Sequence, residues 1–157
     1  MATTKELVIF TDGASRGNPG PGGYGAILIW GNTKKEISAG YRKTTNNRME
    51  LLAVIAALEL LTKEGLKIKV YSDSQYVVKA VEQKWLDNWI RTNFSGGKKN
   101  PDLWKRYYQL AQKHKVSFQW VKGHADNPMN NRCDELATAA ADGKNLLIDE
   151  YYEQNEG

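Results

Sequence analysis

The sequence predicts an α/β fold, a mixed sheet with helices on both faces. Three observations carry this prediction. Leu7-Val8-Ile9-Phe10 is an uninterrupted apolar run, the pattern of a strand buried on both faces. Residues 47–64 are rich in Leu, Ala, Met and Glu and apolar nearly all round, as a helix packed inside a domain would be. The elements follow in the order three strands, a helix, a strand, helices, a strand and a helix, which suits a mixed sheet with helices on either side. At 157 residues, the chain is expected to fold as one domain, 1–157, burying roughly 70% of its unfolded surface.

The first strand is expected to end at Thr11-Asp12-Gly13. Six glycines and two prolines between Gly13 and Gly25 then predict a turn-rich connection. Gly25 to Trp30 forms the next strand, and Glu36 to Tyr41 pairs with it across a Gly31-Asn32-Thr33 turn. Asn46 or Asn47 caps the helix of residues 47–64, and Gly65 closes it. Ile68 to Ser72 is a strand ending at Asp73, followed by a helix from about Ser74 and a Trp-rich segment through residue 90. Residues 95–101 are a loop, Asp102 to Lys113 a helix, and Val116 to Val121 the last strand. A loop containing His124 leads into a final helix from about Asn130 to Ala141.

Composition narrows the function. The longest apolar run, Leu51 to Leu58, has eight residues and is too short to span a bilayer. No charged-then-apolar leader opens the chain, so a cytoplasmic, membrane-free protein is expected. A single cysteine, Cys133, excludes an internal disulfide, and with two histidines it makes Cys-His zinc ligation equally poor. Residues 84–115 carry eight basic and two acidic side chains, whereas 142–157 carry one lysine and five acids. A basic excess of this kind favours a polyanionic partner through counterion release, or is a solvated surface.

Four acids stand out. Asp12 and Asp73 each end a strand, and if those strands are neighbours, both carboxylates emerge where open α/β sheets place their ligands. Glu50, in the first turn of its helix, shares a stripe with Val54, Ala57 and Leu61, where a charge is costly without an outside partner. Asp134 opens the last helix. Like charges about 4 Å apart repel by roughly 4 kcal/mol at an effective dielectric of 20, so a cluster needs a cation or raised pKa values. Oxygen donors without Cys and with few His select Mg²⁺ or Mn²⁺. Two other motifs are set aside. Gly20 to Gly25 matches G-x-G-x-x-G, but a strand and not a helix follows. A histidine-pair nuclease needs two positioned imidazoles, and His114 reads as a surface residue.

Seven stretches, in order, resemble type 1 ribonuclease H in its bacterial form. They are Phe10-Thr11-Asp12-Gly13, Gly17 to Ala26, Thr44-Thr45-Asn46-Asn47-Arg48-Met49-Glu50-Leu51, Asp73 to Val77, Asp102-Leu103-Trp104, Trp120 to Ala125 and Asn131 to Ala137. The resemblance implies a ribonuclease H-like mixed five-stranded sheet. It implies an enzyme that cuts the RNA strand of RNA–DNA hybrids with two Mg²⁺ ions, leaving 3′-hydroxyl and 5′-phosphate ends. By motif, Asp12, Glu50, Asp73 and Asp134 are the metal ligands, and His124 assists proton transfer or product release. Asn18, Asn46, Asn47 and Gln75 line the minor groove, with the Gly13 backbone close to the RNA. Thr45 and Asn100 bind a DNA-strand phosphate. Lys84, Trp85, Trp89, Arg91, Lys98 and Lys99 form a basic protrusion gripping the DNA strand, although Trp85 and Trp89, four apart, also suit local core packing. The chain carries fewer lysines between Trp89 and Asp102 than bacterial relatives do. A monomer is expected. The acidic segment after Asp142 matches no part of the family pattern and is either disordered or locally packed.

Overall fold

A computed structural model describes residues 6–122 and 127–156. The strands β1 (Glu6–Ser15), β2 (Gly20–Trp30), β3 (Thr33–Thr44), β4 (Lys67–Ser72) and β5 (Lys115–Trp120) form one sheet in the order β3-β2-β1-β4-β5. β1–β2 and β2–β3 are antiparallel, while β1–β4 and β4–β5 are parallel. The mixed five-stranded sheet is thus as expected, with β1 and β4 side by side at its centre.

The parallel ladder of β1 and β4 runs from Glu6↔Lys67 to Thr11↔Ser72. The next residue on each strand is an aspartate, Asp12 and Asp73. β1 does not stop there, however. It continues to Ser15, paired with β2 through Ser15↔Gly22, so the predicted end at Asp12 is the end of the parallel ladder only.

The glycine-rich stretch is strand, not turn, from Gly20 onward. The reason lies in what packs on it. A Cβ on Gly22 would meet Met49 of helix α1 (Asn46–Glu59), whereas a Cβ on Gly23 would fall 2.4 Å from the Ala137 carbonyl of helix α5 (Pro128–Ala141). Adjacent strand residues face opposite ways, so α1 and α5 cover opposite faces of the sheet. Backbone approach this close excludes side chains, and glycine here serves packing.

Helix α1 carries the core. Ten of its residues are buried, and Leu51, Val54, Ile55 and Leu58 pack with Ile9, Ile68 and Val70 of the central strands. It is shorter than the predicted 47–64. It ends at Glu59, because Leu60 and residues 62–65 are exposed and offer no apolar face to carry another turn. Gly65, at φ +74°, belongs to the following loop. The N-cap is Thr45, whose hydroxyl accepts the Arg48 N–H at 3.2 Å, and not Asn46 or Asn47.

Helices α2 (Gln75–Glu82), α3 (Trp85–Arg91) and α4 (Pro101–Ala111) follow β4. Ser74 caps α2 through its side chain. Trp104 of α4 is fully buried between Tyr76, Trp89 and Tyr107.

The acidic C-terminal segment packs locally. Leu147 bonds the outer edge of β3, donating to the Gly40 carbonyl at 2.8 Å and accepting from the Arg42 N–H at 2.9 Å. A short helix α6 (Glu150–Asn155) then begins at Asp149, its N-cap. The segment is held through Arg48, which is 1% exposed. Its guanidinium bonds Asp149 at 2.7 and 2.9 Å and Asp102 at 2.9 and 2.7 Å, and reaches the Asn100 side-chain oxygen at 3.2 Å. Thr44 donates to Asp149 at 2.7 Å. This knot ties α1, α4 and the C-terminal segment together.

Candidate active site

Asp12 comes from β1, Asp73 from the β4–α2 turn and Glu50 from α1, yet one carboxylate oxygen of each lies within 4.8 Å of the others. Glu50 opens the second turn of α1, since the cap is Thr45, and it is 4% exposed among apolar neighbours. The sheet-to-helix spacing that permits this is set at Gly13. A Cβ there would sit 2.4 Å from the Glu50 backbone nitrogen. The Gly13 N–H instead donates to Asp12 Oδ1 and Glu50 Oε1, both at 2.8 Å.

These acids are poorly compensated. Burial pushes the Asp12 carboxyl from 3.8 up to about 7, with the Asp73 and Asp134 charges adding to the rise. Glu50 is pushed well above its ordinary range by burial, then by the charges of Asp12 and Asp73. Asp73 is also raised, chiefly by burial. Glu50 Oε2 is buried and has no hydrogen-bond partner among the described residues. An orphaned carboxylate oxygen facing two further carboxylates, with no sulfur or imidazole in the set, fits a hard divalent cation.

A cavity of about 360 Å³ opens over the cluster. Gly13, Asn46, Asn47, Gln75 and Asp134 border it. Asp134 stands on α5, across the cavity and outside the tight group of three. Because Thr45 performs the capping, the side chains of Asn46 and Asn47 are left for the cavity. His124 lies outside the described residues.

A neighbouring cavity of about 410 Å³ shares Asn47 and is bordered by Asn18, Thr45, Lys99 and Asn100, with Tyr152, Asn155 and Glu156 on its far side. Asn18 is tied in by accepting the Asn46 N–H at 3.1 Å. Asn100 is largely committed to the framework. It is 5% exposed, accepts from Arg48, and donates to the Tyr76 hydroxyl at 3.1 Å.

The remaining candidates lie on neither cavity. Trp89 is a packing residue, against Trp104 and Phe94. Trp85 is 42% exposed, its ring 6.5 Å from that of Trp89. Lys98 lies 5.9 Å above the Trp89 ring, Arg91 bonds Asn88, and Lys84 leads into α3 in a left-handed conformation, at φ 61°.

Two residues escaped the sequence reading. Asn130 of α5 is 3% exposed, borders the acid cavity, and has a buried side-chain oxygen without a partner among the described residues. Its amide lies one helical turn before Asp134, and that spacing was the available signal. Arg48 gave no signal, because its acidic partners lie 54 and 101 positions away.

Among the described residues no helix is long and apolar enough to cross a membrane. The model of the RNase H family matches residues 4–142. Ribonuclease H of Desulforamulus reducens is 53% identical over 149 residues, covering 92% of this chain and 93% of that protein. Ribonuclease H of Lachnoclostridium phytofermentans is 54% identical over 158 residues, covering 94% and 99%. In structure, LC9-RNase H1, described as a type 1 RNase H with the type 2 active-site motif, superimposes with a TM-score of 0.81 at 26% identity, covering 100% of this chain and 83% of that one. LC11-RNase H1 in complex with an RNA/DNA hybrid matches with a TM-score of 0.65 at 26% identity, covering 87% and 96%. With the sheet, the converging acids and these likenesses in agreement, the chain belongs to the ribonuclease H family, a family of hydrolases.

Proposed function

We propose that this protein hydrolyses the RNA strand of RNA–DNA hybrids endonucleolytically, leaving 3′-hydroxyl and 5′-phosphate ends. The observation that carries the reading is the convergence of Asp12, Glu50 and Asp73 within 4.8 Å, with one Glu50 oxygen unpartnered. A relative solved with an RNA/DNA hybrid supports the substrate class. Residues 1–157 act as one catalytic domain, monomeric and cytoplasmic, with the acidic segment folded against it over residues 142–156.

Asp12, Glu50 and Asp73 hold the metal, and Asp134 completes the set from the opposite wall. Oxygen-only donors suit two Mg²⁺, with Mn²⁺ as the alternative. When bound, such ions supply hydroxide at neutral pH and offset charge on the leaving oxygen. The Gly13 N–H holds Asp12 and Glu50 in their shared orientation. His124 assists proton transfer or product release. Asn46, Asn47 and Gln75, beside the acids, face the minor groove, where the 2′-hydroxyl distinguishes RNA from DNA. Thr45 and Asn100 receive a phosphate of the DNA strand in the second cavity, with Lys99 of the basic protrusion at its border, and Asn18 lines the minor groove beside it. Lys84, Trp85 and Lys98 extend the basic contact beyond it.

A cleavage assay on end-labelled hybrid, duplex DNA and duplex RNA, with and without Mg²⁺, tests the reading. Mg²⁺-dependent cutting confined to the RNA of the hybrid is expected. Equal cutting of duplex DNA, or an inert protein that only binds the hybrid, overturns it.

A further inference from the structure

We propose that Glu156, just beyond α6, sets the affinity of the second cavity for a DNA-strand phosphate by holding Lys99 in an internal ion pair that the phosphate must displace. This rests on the functional reading above and adds a residue that the reading does not contain.

Most of the cavity wall is neutral: Asn18, Thr45, Asn47 and Asn100 offer amides and a hydroxyl. Among the described residues bordering it, Lys99 is the sole cation and Glu156 the sole anion. They meet at 3.2 Å, Nζ to Oε1. The two partners are not equally free. The Lys99 side chain is 73% exposed and that of Glu156 only 21%. The Glu156 backbone N–H is tied to the Tyr152 carbonyl at 2.8 Å. α6 itself is anchored through Asp149 to Arg48 and Thr44, and through Glu153 to Arg42. Glu156 is therefore the better enclosed partner and Lys99 the more accessible one. An arriving phosphate competes with Glu156 for the same ammonium and is repelled by the carboxylate it displaces. Once Lys99 turns to the phosphate, Glu156 is left to be screened by solution cations, so the exchange releases fewer counterions in net than an unpaired lysine would.

The test is binding of a fluorescently labelled RNA–DNA hybrid in EDTA, which prevents turnover, across a series of salt concentrations. Glu156→Gln should bind about two- to fivefold more tightly, since an exposed ion pair of this kind is worth up to about a fivefold shift. The slope of log Kd against log salt should steepen, by at most about 0.9, because Lys99 no longer leaves behind a carboxylate that takes up a solution cation. Lys99→Gln should weaken binding, and Lys99→Gln with Glu156→Gln should match Lys99→Gln alone. A hybrid with one methylphosphonate at the DNA linkage entering the cavity should erase the Glu156→Gln gain. Unchanged binding by Glu156→Gln overturns the proposal. So does a gain of equal size in the Lys99→Gln background, which marks a general charge effect. Absence of hybrid binding by the unaltered protein overturns the functional reading and this proposal with it.

Discussion

Two buried charges sit two residues apart on α1 and are treated in opposite ways. Arg48 is enclosed by Asp102 and Asp149, and its guanidinium is bonded on every side. Glu50 is enclosed by Asp12 and Asp73, which have the same sign, and one of its oxygens has no partner. The first arrangement is complete as it stands. The second is complete only with a cation. The difference separates a buried charge that holds the fold from one that the fold holds for chemistry.

The strongest way to break this comparison is Asp12→Asn. Cleavage of the hybrid should fall by at least about 10³-fold, since metal-centred charge stabilisation is worth several kcal/mol. Urea denaturation of the same variant in EDTA at pH 8 should show no loss of stability, because a like charge has been removed. A large loss would place Asp12 with Arg48 as a framework residue. Arg48→Ala is the converse experiment. It should cost about 3–5 kcal/mol in urea denaturation, the usual penalty for leaving a buried partner unpaired. A cost below about 1 kcal/mol would mean that Asp149 finds water instead.

The dependence on pH sharpens the contrast. A carboxyl whose folded value lies above its unfolded value contributes stability in full below the unfolded value and loses it as pH rises through the folded one. For Asp12 that window runs from about 4 to about 7. In EDTA, the unaltered protein should lose Tm relative to Asp12→Asn between pH 5 and pH 8, and Mg²⁺ should restore more at pH 8. Parallel Tm curves for the two proteins would contradict the raised value. The smallest effect is expected at an exposed pair. Arg16 and Asp142 are each 55% exposed, so Arg16→Ala should shift stability by no more than about 1 kcal/mol in the same urea assay.

How much was legible in the sequence follows from how local each cause is. Asp12 and Asp73 could be found because each follows a strand-forming run, at the point where the parallel β1–β4 ladder stops. Glu50 could be found because an acid on an apolar stripe is anomalous within its own helix. Gly22 and Gly23 of β2 were misread as turn because their reasons, Met49 of α1 and Ala137 of α5, are distant in the sequence. The cap at Thr45 lost to two neighbouring asparagines of equal propensity, which only the geometry separates. The C-terminal helix was open to either reading because a six-residue acidic segment has little tendency to fold alone. Arg48 and Arg42 on the body of the protein hold it in place.

Gly13 has a consequence for how this site can change over time. The gap between β1 and α1 is set there by backbone against backbone, with no side chain in between. The reach from Asp12 to Glu50 is therefore insulated from the volumes of Leu51, Ile55 and their neighbours further along the helix. Those interior positions can drift among similar apolar residues while the carboxylate spacing stays the same. At position 13 itself, a single added methyl group would wedge strand and helix apart and move two acids at once.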